Sequence, residues 1–181
     1  MSDANREQIE FWNGGPDRRW VAHQQALERV WRPIGDTAIK RAAVLPGERV
    51  VDVGCGCGAT ALELAAKVGP SGSVIGIDIA APMLARARER AQTFGVANIE
   101  FVQADASTYA FAGLGDLVFS RAGVMFFRDP VEAFAKPASR TPARRPVRAC
   151  MFPRQGAQFV VDRPDRGCRD RGWPRAADSG T

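Results

Sequence analysis

The stretch RVVDVGCGCGATALELAA, from Arg49 to Ala66, decides how the rest of this 181-residue chain is organised. It begins with the β-branched run of residues 50–53, passes through three alternating glycines, and continues with apolar residues at helical spacing. β-branched runs favour strands, clustered glycines favour tight loops, and an apolar period near 3.6 favours a helix. The stretch therefore predicts the strand, loop and helix that form the ligand-binding corner of an open α/β sheet.

Two kinds of ligand compete for such a corner. A dinucleotide site reads G-x-G-x-x-G/A, which Gly54, Gly56 and Ala59 satisfy, and it presents amides at a helix N-terminus to a pyrophosphate. S-adenosylmethionine has no phosphate but carries an ammonium and a sulfonium, so a carboxylate near the loop attracts it. Asp52, two residues before the first glycine, is such a carboxylate. The loop sequence alone does not distinguish between these two ligands.

Three motifs in order resemble one family. D-V-G-C-G-C-G (52–58) looks like motif I of the class I S-adenosylmethionine-dependent methyltransferases, V-I-G-I-D-I (74–79) like their second strand, and F-V-Q-A-D-A (101–106) like the third. The resemblance covers about residues 10–135. It implies an α/β fold with a Rossmann-like, doubly wound, mostly parallel sheet, S-adenosyl-L-methionine as cofactor, and a small-molecule methyl acceptor.

The resemblance also implies which residues hold the cofactor. They are Asp52, Gly54, Cys55, Gly56, Gly58, Asp78, Ile79, Met83, Asp105, Ala106 and Ser120. A carboxylate at Asp78 suits the ribose hydroxyls of either ligand, because it accepts two hydrogen bonds from a vicinal diol. By resemblance, Asp105 and the Ala106 amide meet the adenine edge and Met83 packs on the ring. The alternatives are a turn cap for Asp105 and core packing for Met83.

The segment S-R-A-G-V-M-F-F-R-D-P (120–130) looks like the one that follows the fourth strand in small-molecule members of this family. The resemblance places Ser120 and Arg121 beside the sulfonium and the acceptor, where Arg121 either orients an acidic acceptor or pairs with Asp129. We predict no catalytic residue, since the sulfonium is already a strong electrophile and positioning of the acceptor supplies most of the acceleration.

Residues 1–45 are predicted to form a helical cap on a cofactor-binding core of residues 46–135. N-G-G-P (13–16) separates a first helix from a second, and a third is expected at about residues 36–43. The cap resembles one that covers the cofactor and shapes the acceptor pocket. Trp12 and Trp20 therefore either line that pocket or pack the cap on the core, whereas core packing is expected for Trp31.

Composition and charge limit which other classes of protein this chain could belong to. The net charge is +5, but residues 136–181 hold 11 of the 25 basic and 4 of the 20 acidic residues, so the excess belongs to the tail. No apolar run of membrane-spanning length and no signal peptide is visible, and the cysteines fit no metal spacing. We expect a cytoplasmic protein with reduced thiols and without metal, membrane or nucleic-acid partners. The oligomeric state is left open.

The amino-acid composition of the chain changes after residue 135. Residues 136–181 contain six of the twelve prolines, and no strand period is visible beyond residues 158–162. Removing one nucleotide at the Lys136 codon, with suitable synonymous codons, yields an amphipathic helix, an R-P-G-G turn and an apolar strand. We therefore expect an Arg/Pro-rich tail outside the family, disordered or translated out of frame, and a fold incomplete at its C-terminal strands. The nucleotide sequence of the gene tests this.

The predicted function is methyl transfer from S-adenosylmethionine to a small molecule. The loss of the last strands would expose an edge of the sheet, so we expect marginal stability and weak turnover. The alternatives are an inactive cofactor-binding remnant, an NAD-dependent oxidoreductase, and a basic RNA-binding module in the tail.

Overall fold

The structure is a computed structural model that describes residues 5–109, 115–127, 148–152 and 159–161, the last two ranges by their backbone. The helices are α1 (Arg6–Asn13), α2 (Pro16–Ala22), α3 (Gln24–Ala42), α4 (Ala59–Val68) and α5 (Ala81–Thr93). The strands are β1 (Arg49–Val53), β2 (Ser73–Asp78), β3 (Ile99–Gln103), β4 (Leu117–Arg121), β5 (Arg148–Phe152) and β6 (Phe159–Val161), and a 3₁₀ turn covers Val124–Phe126. Among the described residues, no helix is long and apolar enough to cross a membrane.

The strands form one sheet in the order β3-β2-β1-β4-β5-β6. Strands β1 to β5 run parallel, and β6 pairs antiparallel with β5. The direction in which the chain crosses the sheet reverses at β1, which lies between β2 and β4. In open α/β sheets this reversal leaves a crevice beside the carboxyl ends of the strands, and ligands bind there.

Both faces of the sheet are covered by apolar packing. Val50 and Phe119 lie on the face that packs against Leu64 of α4, and Val51 and Ile77 lie in a second cluster on the other face. Successive side chains of a strand point to opposite faces. A strand buried on both faces therefore needs an unbroken apolar run, and β1 has one except at Asp52.

The predicted elements are largely confirmed. Strand β2 overlaps the motif at residues 74–79 that resembles a second strand, and the predicted break at residues 13–16 separates α1 from α2. The separate helix expected at residues 36–43 is wrong, because α3 runs unbroken from Gln24 to Ala42 through Pro33. Proline removes one backbone hydrogen bond. Here the buried stripe that includes Ala38 and Ile39 packs α3 along the core, and this packing outweighs that loss.

The C-terminal segment differs from the expectation. Strand β5 pairs with β4 over five residues, and β6 lies within the short run at 158–162 that kept a strand period. Strand β4 therefore has β5 as a neighbour on this side, within a C-terminal part of which the structure describes only residues 148–152 and 159–161. Parallel pairing uses backbone groups, which every residue except proline supplies in full, so a tail without a clear apolar period still extends the sheet. The reading frame of residues 136–181 stays a prediction.

Candidate functional site

A cavity lies at the carboxyl edge of the sheet, at the reversal between β1 and β4, and the cap helices contribute to its wall. The predicted residues on its wall are Gly54, Cys55, Gly56, Asp78, Ile79, Met83, Asp105, Ala106, Trp12, Trp20 and Arg121. Three predicted residues are not on the wall: Asp52, Gly58 and Ser120. The cavity therefore gathers residues from the cap, from the ends of four strands and from α5.

Four amides of the glycine loop are already used within the protein. Gly54 and Cys55 both donate to the carbonyl of Ile77, at 2.8 and 3.2 Å, and Gly58 donates to the carbonyl of Cys55 at 2.9 Å. The amide of Gly56 donates to a carboxylate oxygen of Asp78 at 2.8 Å. A phosphate-binding loop offers such amides to its ligand. In this loop these four stabilise the turn, whereas the amides of Cys57 and Ala59, both on the wall, donate to no described residue.

Gly54 makes the closest backbone approach of the site. Its φ is +71°, and a Cβ at this position would lie 2.5 Å from the Cα of Gly123, beyond the end of β4. Gly58 serves packing rather than the cavity, since a Cβ there would lie 3.0 Å from the Cβ of Ala87 on α5. The first glycine therefore joins the ends of β1 and β4, and the third seats the loop on α5.

Asp78 ends β2 and holds the loop. One carboxylate oxygen accepts from Gly56, and the other accepts from the amide of Ala80 at 2.9 Å. Burial raises the pKa of Asp78, and these amide hydrogen bonds oppose the rise. A carboxylate has about four acceptor sites. Asp78 therefore keeps acceptor capacity for ligand hydroxyls while it orders the loop.

Asp105 follows β3 and combines the two roles that its sequence left open. One oxygen, Oδ1, accepts from the amide and hydroxyl of Ser107 at 2.9 and 2.7 Å, and from Nδ2 of Asn5 at 3.1 Å. The other oxygen, Oδ2, is buried and accepts no hydrogen bond from the described part of the chain. Unsatisfied buried acceptors are rare. Oδ1 thus caps a turn, and Oδ2 is left for a donor in the cavity.

Asp52 lies beneath the cavity wall and is fully buried. Its Oδ2 accepts from the hydroxyl of Thr60 at 2.6 Å, whereas Oδ1 has no hydrogen-bond partner among residues 5–109 and 115–127. Burial raises the pKa of Asp52 to about 6, opposed by the Thr60 hydrogen bond and by the charge of Arg121. The expected direct contact of Asp52 with the methionine part is not supported, because its side chain alternates to the helix-covered face.

Arg121 ends β4 and is the one cation among the described residues of the cavity wall. Its side chain lies against α3, where a Cβ on Gly35 would come within 3.3 Å of Nη1. Burial lowers the pKa of the guanidinium, and Asp52 is the carboxylate that opposes this most strongly. Within the described ranges the guanidinium of Arg121 forms no hydrogen bond or ion pair, and Asp129 lies outside them.

The hydroxyl of Ser120 connects β4 to neighbouring backbone segments. Its hydroxyl donates to the carbonyl of Val53 at 2.8 Å and accepts from the amide of Val124 at 3.3 Å. The residue is fully buried and is not on the described cavity wall. Ser120 ties β4 to β1 and to the 3₁₀ turn, and its cofactor contact stays a prediction.

Aromatic side chains from the cap close one side of the cavity. Trp12 lies edge-to-face with Trp20 at 6.0 Å and with Phe126 of the 3₁₀ turn at 5.4 Å, centroid to centroid. Trp12 and Trp20 also pack on Met83, so they line the wall and seat the cap at once. Trp31, expected to pack only in the core, lines the wall as well.

The cysteines of the loop are free and buried. Burial raises the pKa of Cys55 well above its usual range and that of Cys57 to about 12. Both thiols are therefore protonated at neutral pH and are poor nucleophiles. Over the part of the chain that the structure describes, no group of three or more ligand side chains could hold a metal ion.

The site also involves residues that the sequence patterns did not indicate. Asn5, on the wall, donates to Asp105. Asn13, off the wall, joins the cap to the sheet edge by donating to the carbonyl of Ile79 at 3.1 Å. Gly123 and Phe126 come from the turn after β4. The segment at residues 120–130, which resembles the family segment after the fourth strand, contains Gly123 and Phe126, so the sequence could have indicated these two residues. The two asparagines lie in no such motif.

Comparison with known proteins agrees with this geometry. The methyltransferase domain family matches residues 50–141. Aklanonic acid methyltransferase DauC of Streptomyces sp. (strain C5) is 41% identical over 105 residues, 58% of this chain and 48% of that one. The ubiquinone/menaquinone biosynthesis C-methyltransferase UbiE of Ectopseudomonas mendocina (strain ymp) is 41% identical over 86 residues, 47% of this chain and 32% of that one. The chain thus spans about half the length of the first relative and a third of the second.

A solved structure shows the same fold. The SAM-dependent methyltransferase of Aquifex aeolicus superposes with a TM-score of 0.56 at 23% identity, over 65% of this chain and 62% of that one. The cavity fits S-adenosylmethionine, because its described wall carries the carboxylates of Asp78 and Asp105 for a cationic nucleoside, and Oδ2 of Asp105 has no partner among the described residues. The chain belongs to the methyltransferase domain family, with S-adenosylmethionine as its cofactor.

Proposed function

We propose that this chain transfers a methyl group from S-adenosylmethionine to a small-molecule acceptor. The observation that carries the proposal is the polarity of the described cavity wall. It has the carboxylates of Asp78 and Asp105, a third at Glu28 that is paired with Arg90, and one guanidinium, Arg121. Such a wall favours a cationic ligand over a dinucleotide, whose diphosphate is negatively charged.

The adenosine end of the cavity, which we define by Asp78 and Asp105, takes the nucleoside. Asp78 accepts the ribose hydroxyls beside Ile79, and Oδ2 of Asp105 accepts the adenine amino group. The amide of Ala106, which donates no hydrogen bond to any described residue, faces a ring nitrogen. Met83, on the wall and only 6% exposed, packs on the adenine ring.

The methionine end, which we define by Gly54, Asp52 and Arg121, takes the amino acid part. The absent Cβ of Gly54 lets the cofactor lie close to the backbone beside Cys55 and Gly56. The bound sulfonium supplies an electrophilic methyl group, so the protein has to bind, orient and exclude water rather than provide a nucleophile.

The acceptor lies under the aromatic side of the cavity. Trp12, Trp20 and Phe126 present ring edges and faces that suit a flat, apolar molecule. The relatives are named for aklanonic acid and for ubiquinone and menaquinone biosynthesis, which agrees with a small organic acceptor. The proposal includes a cytoplasmic location, supported by the free thiols of Cys55 and Cys57, and no role in nucleic-acid binding.

Binding of S-adenosylhomocysteine against NADH by titration tests the cofactor. We expect S-adenosylhomocysteine to bind and NADH not to bind, and the reverse would overturn the proposal. Release of S-adenosylhomocysteine in the presence of an acceptor separates an active enzyme from an inactive cofactor-binding remnant.

A substitution at Asp105 tests the adenine contact. Three donors hold an oxygen at Oδ1, so Asp105→Asn places its amide group where Oδ2 was. We expect Asp105→Asn to bind S-adenosylhomocysteine about tenfold more weakly, because one hydrogen bond to a charged group is lost. It should favour S-inosylhomocysteine, which has an acceptor oxygen in place of the amino group. Asp116→Asn, off the cavity wall, is the control and should leave both affinities unchanged.

A further inference from the structure

We infer that Arg121 binds the carboxylate of the cofactor's methionine part, rather than the acceptor; the inference rests on the function proposed above. The resemblance placed Arg121 near the acceptor, and the geometry of the sheet edge points to the cofactor instead.

The strand order sets the direction in which the cofactor lies. Asp105 follows β3, Asp78 ends β2, Gly54 follows β1 and Arg121 ends β4, and these are consecutive strands of the sheet. Neighbouring strands lie about 4.8 Å apart, so these residues form a row along one edge. If adenine lies at Asp105 and ribose at Asp78, the amino acid part extends past Gly54 toward Arg121.

Among the described residues of the wall, Arg121 is the charged group that suits a carboxylate. Asp78 and Asp105 repel an anion, and Glu28 is paired with Arg90. The amides of Gly54, Cys55, Gly56 and Gly58 are used within the protein, and those of Cys57 and Ala59 carry no full charge. The planar guanidinium of an arginine matches a carboxylate with two parallel hydrogen bonds. Arg121 is therefore the complementary group at the end of the row.

The surroundings of Arg121 keep it charged and available. α3 approaches it at Gly35, whose missing Cβ leaves room for the guanidinium. Asp52, with its unpaired Oδ1, is the main carboxylate that attracts it. Asp52 thus acts on the methionine end through Arg121, as a positioning residue beneath the wall.

The test compares two ligands on two proteins. S-adenosylhomocysteine carries the amino acid part, and 5′-methylthioadenosine is the corresponding nucleoside thioether without it. By calorimetry we expect Arg121→Gln to lower the affinity for S-adenosylhomocysteine by about tenfold or more, and the affinity for 5′-methylthioadenosine by less than about twofold. Arg32→Gln, an exposed arginine of α3 off the cavity wall, is the matched control and should change neither affinity.

Each other outcome overturns the inference. An equal loss of affinity for both ligands would show that Arg121 has a structural role. No change in either affinity would indicate that Arg121 contacts the acceptor rather than the cofactor. If wild-type protein binds neither ligand, the proposed function fails instead. Should Arg121→Gln not fold, wild-type protein alone decides: it must prefer S-adenosylhomocysteine to its decarboxylated analogue, and equal affinities would contradict the carboxylate contact.

Discussion

The adenosine end and the methionine end of the cavity are built differently. At the adenosine end, Asp78 accepts two backbone amides and Asp105 accepts three donors on a single oxygen. At the methionine end, Asp52 accepts one hydroxyl, and the guanidinium of Arg121 has no hydrogen bond within the described residues. The carboxylates of the first end are therefore more fully hydrogen-bonded within the described chain than the charged groups of the second.

The largest effect is expected where the methionine end is most crowded. Gly54→Ala puts a Cβ on a residue at φ +71° and within 2.5 Å of the Cα of Gly123. We expect a loss of about 3 kcal/mol in the free energy of unfolding, combining left-handed strain with overpacking. Urea unfolding measures it.

The control for this substitution is Gly95→Ala. Gly95 has φ +65° but no heavy atom within 4 Å of an added Cβ, so it reports the backbone strain alone. We expect a loss of about 1 kcal/mol. Equal losses in the two variants would show that the contact of Gly54 with Gly123 does not constrain the site.

The pH dependence of stability probes Asp52. Its pKa is raised from 3.8 to about 6, so between these values the native state binds more protons than the unfolded chain. Stability contributed by this group is therefore full below pH 3.8 and falls as pH rises toward 6, by up to about 3 kcal/mol. Asp52→Asn does not titrate.

Urea unfolding of both proteins at several pH values checks this. The stability of wild type minus that of Asp52→Asn should decline between about pH 4 and 6 and stay level above it. Asp78, whose pKa is also raised, is present in both proteins and cancels in the difference. A difference that does not change with pH would mean that Asp52 is paired more fully than its single hydrogen bond indicates.

The smallest effects come from removing single donors, and they sharpen the contrast between the ends. Thr60→Val removes the one described donor to Asp52, and we expect a loss of about 2 kcal/mol at pH 7 because a buried charge is left unsatisfied. Ser107→Ala removes one of three donors to Asp105 Oδ1, and we expect a loss below about 1 kcal/mol. Thermal unfolding compares the two; a larger loss in Ser107→Ala would reverse the contrast.

Much of the fold could be predicted from local patterns. The strand, loop and helix around residues 49–66 follow from β-branched residues, glycines and apolar period, and β2 overlaps the motif at residues 74–79. The continuity of α3 could not be predicted, because Pro33 is a local signal for a break and only tertiary packing overrides it.

The site was predicted in part. Asp78 and Asp105 lie on the cavity wall because both sit at carboxyl ends of adjacent parallel strands. Asp52 and Ser120 were expected there too, but both lie within strands, where the alternation of side chains directs them into the core. Arg90 of α5 donates to Glu28 of α3 at 2.7 Å and to the carbonyl of Cys57 at 2.6 Å. That pairing joins distant segments and has no local signature.

By itself, the sequence determined the βαβ order, the glycine corner and the carboxylates at the strand ends, because propensity, period and glycine spacing act over a few residues. Only the tertiary structure decided which oxygens of those carboxylates remain unpaired, which loop amides are already used, and that Arg121 stands at the end of the row. These properties depend on contacts between segments far apart in the chain, such as Asn5 with Asp105 and Gly54 with Gly123. Strand pairing and packing set such contacts, and no local pattern encodes them.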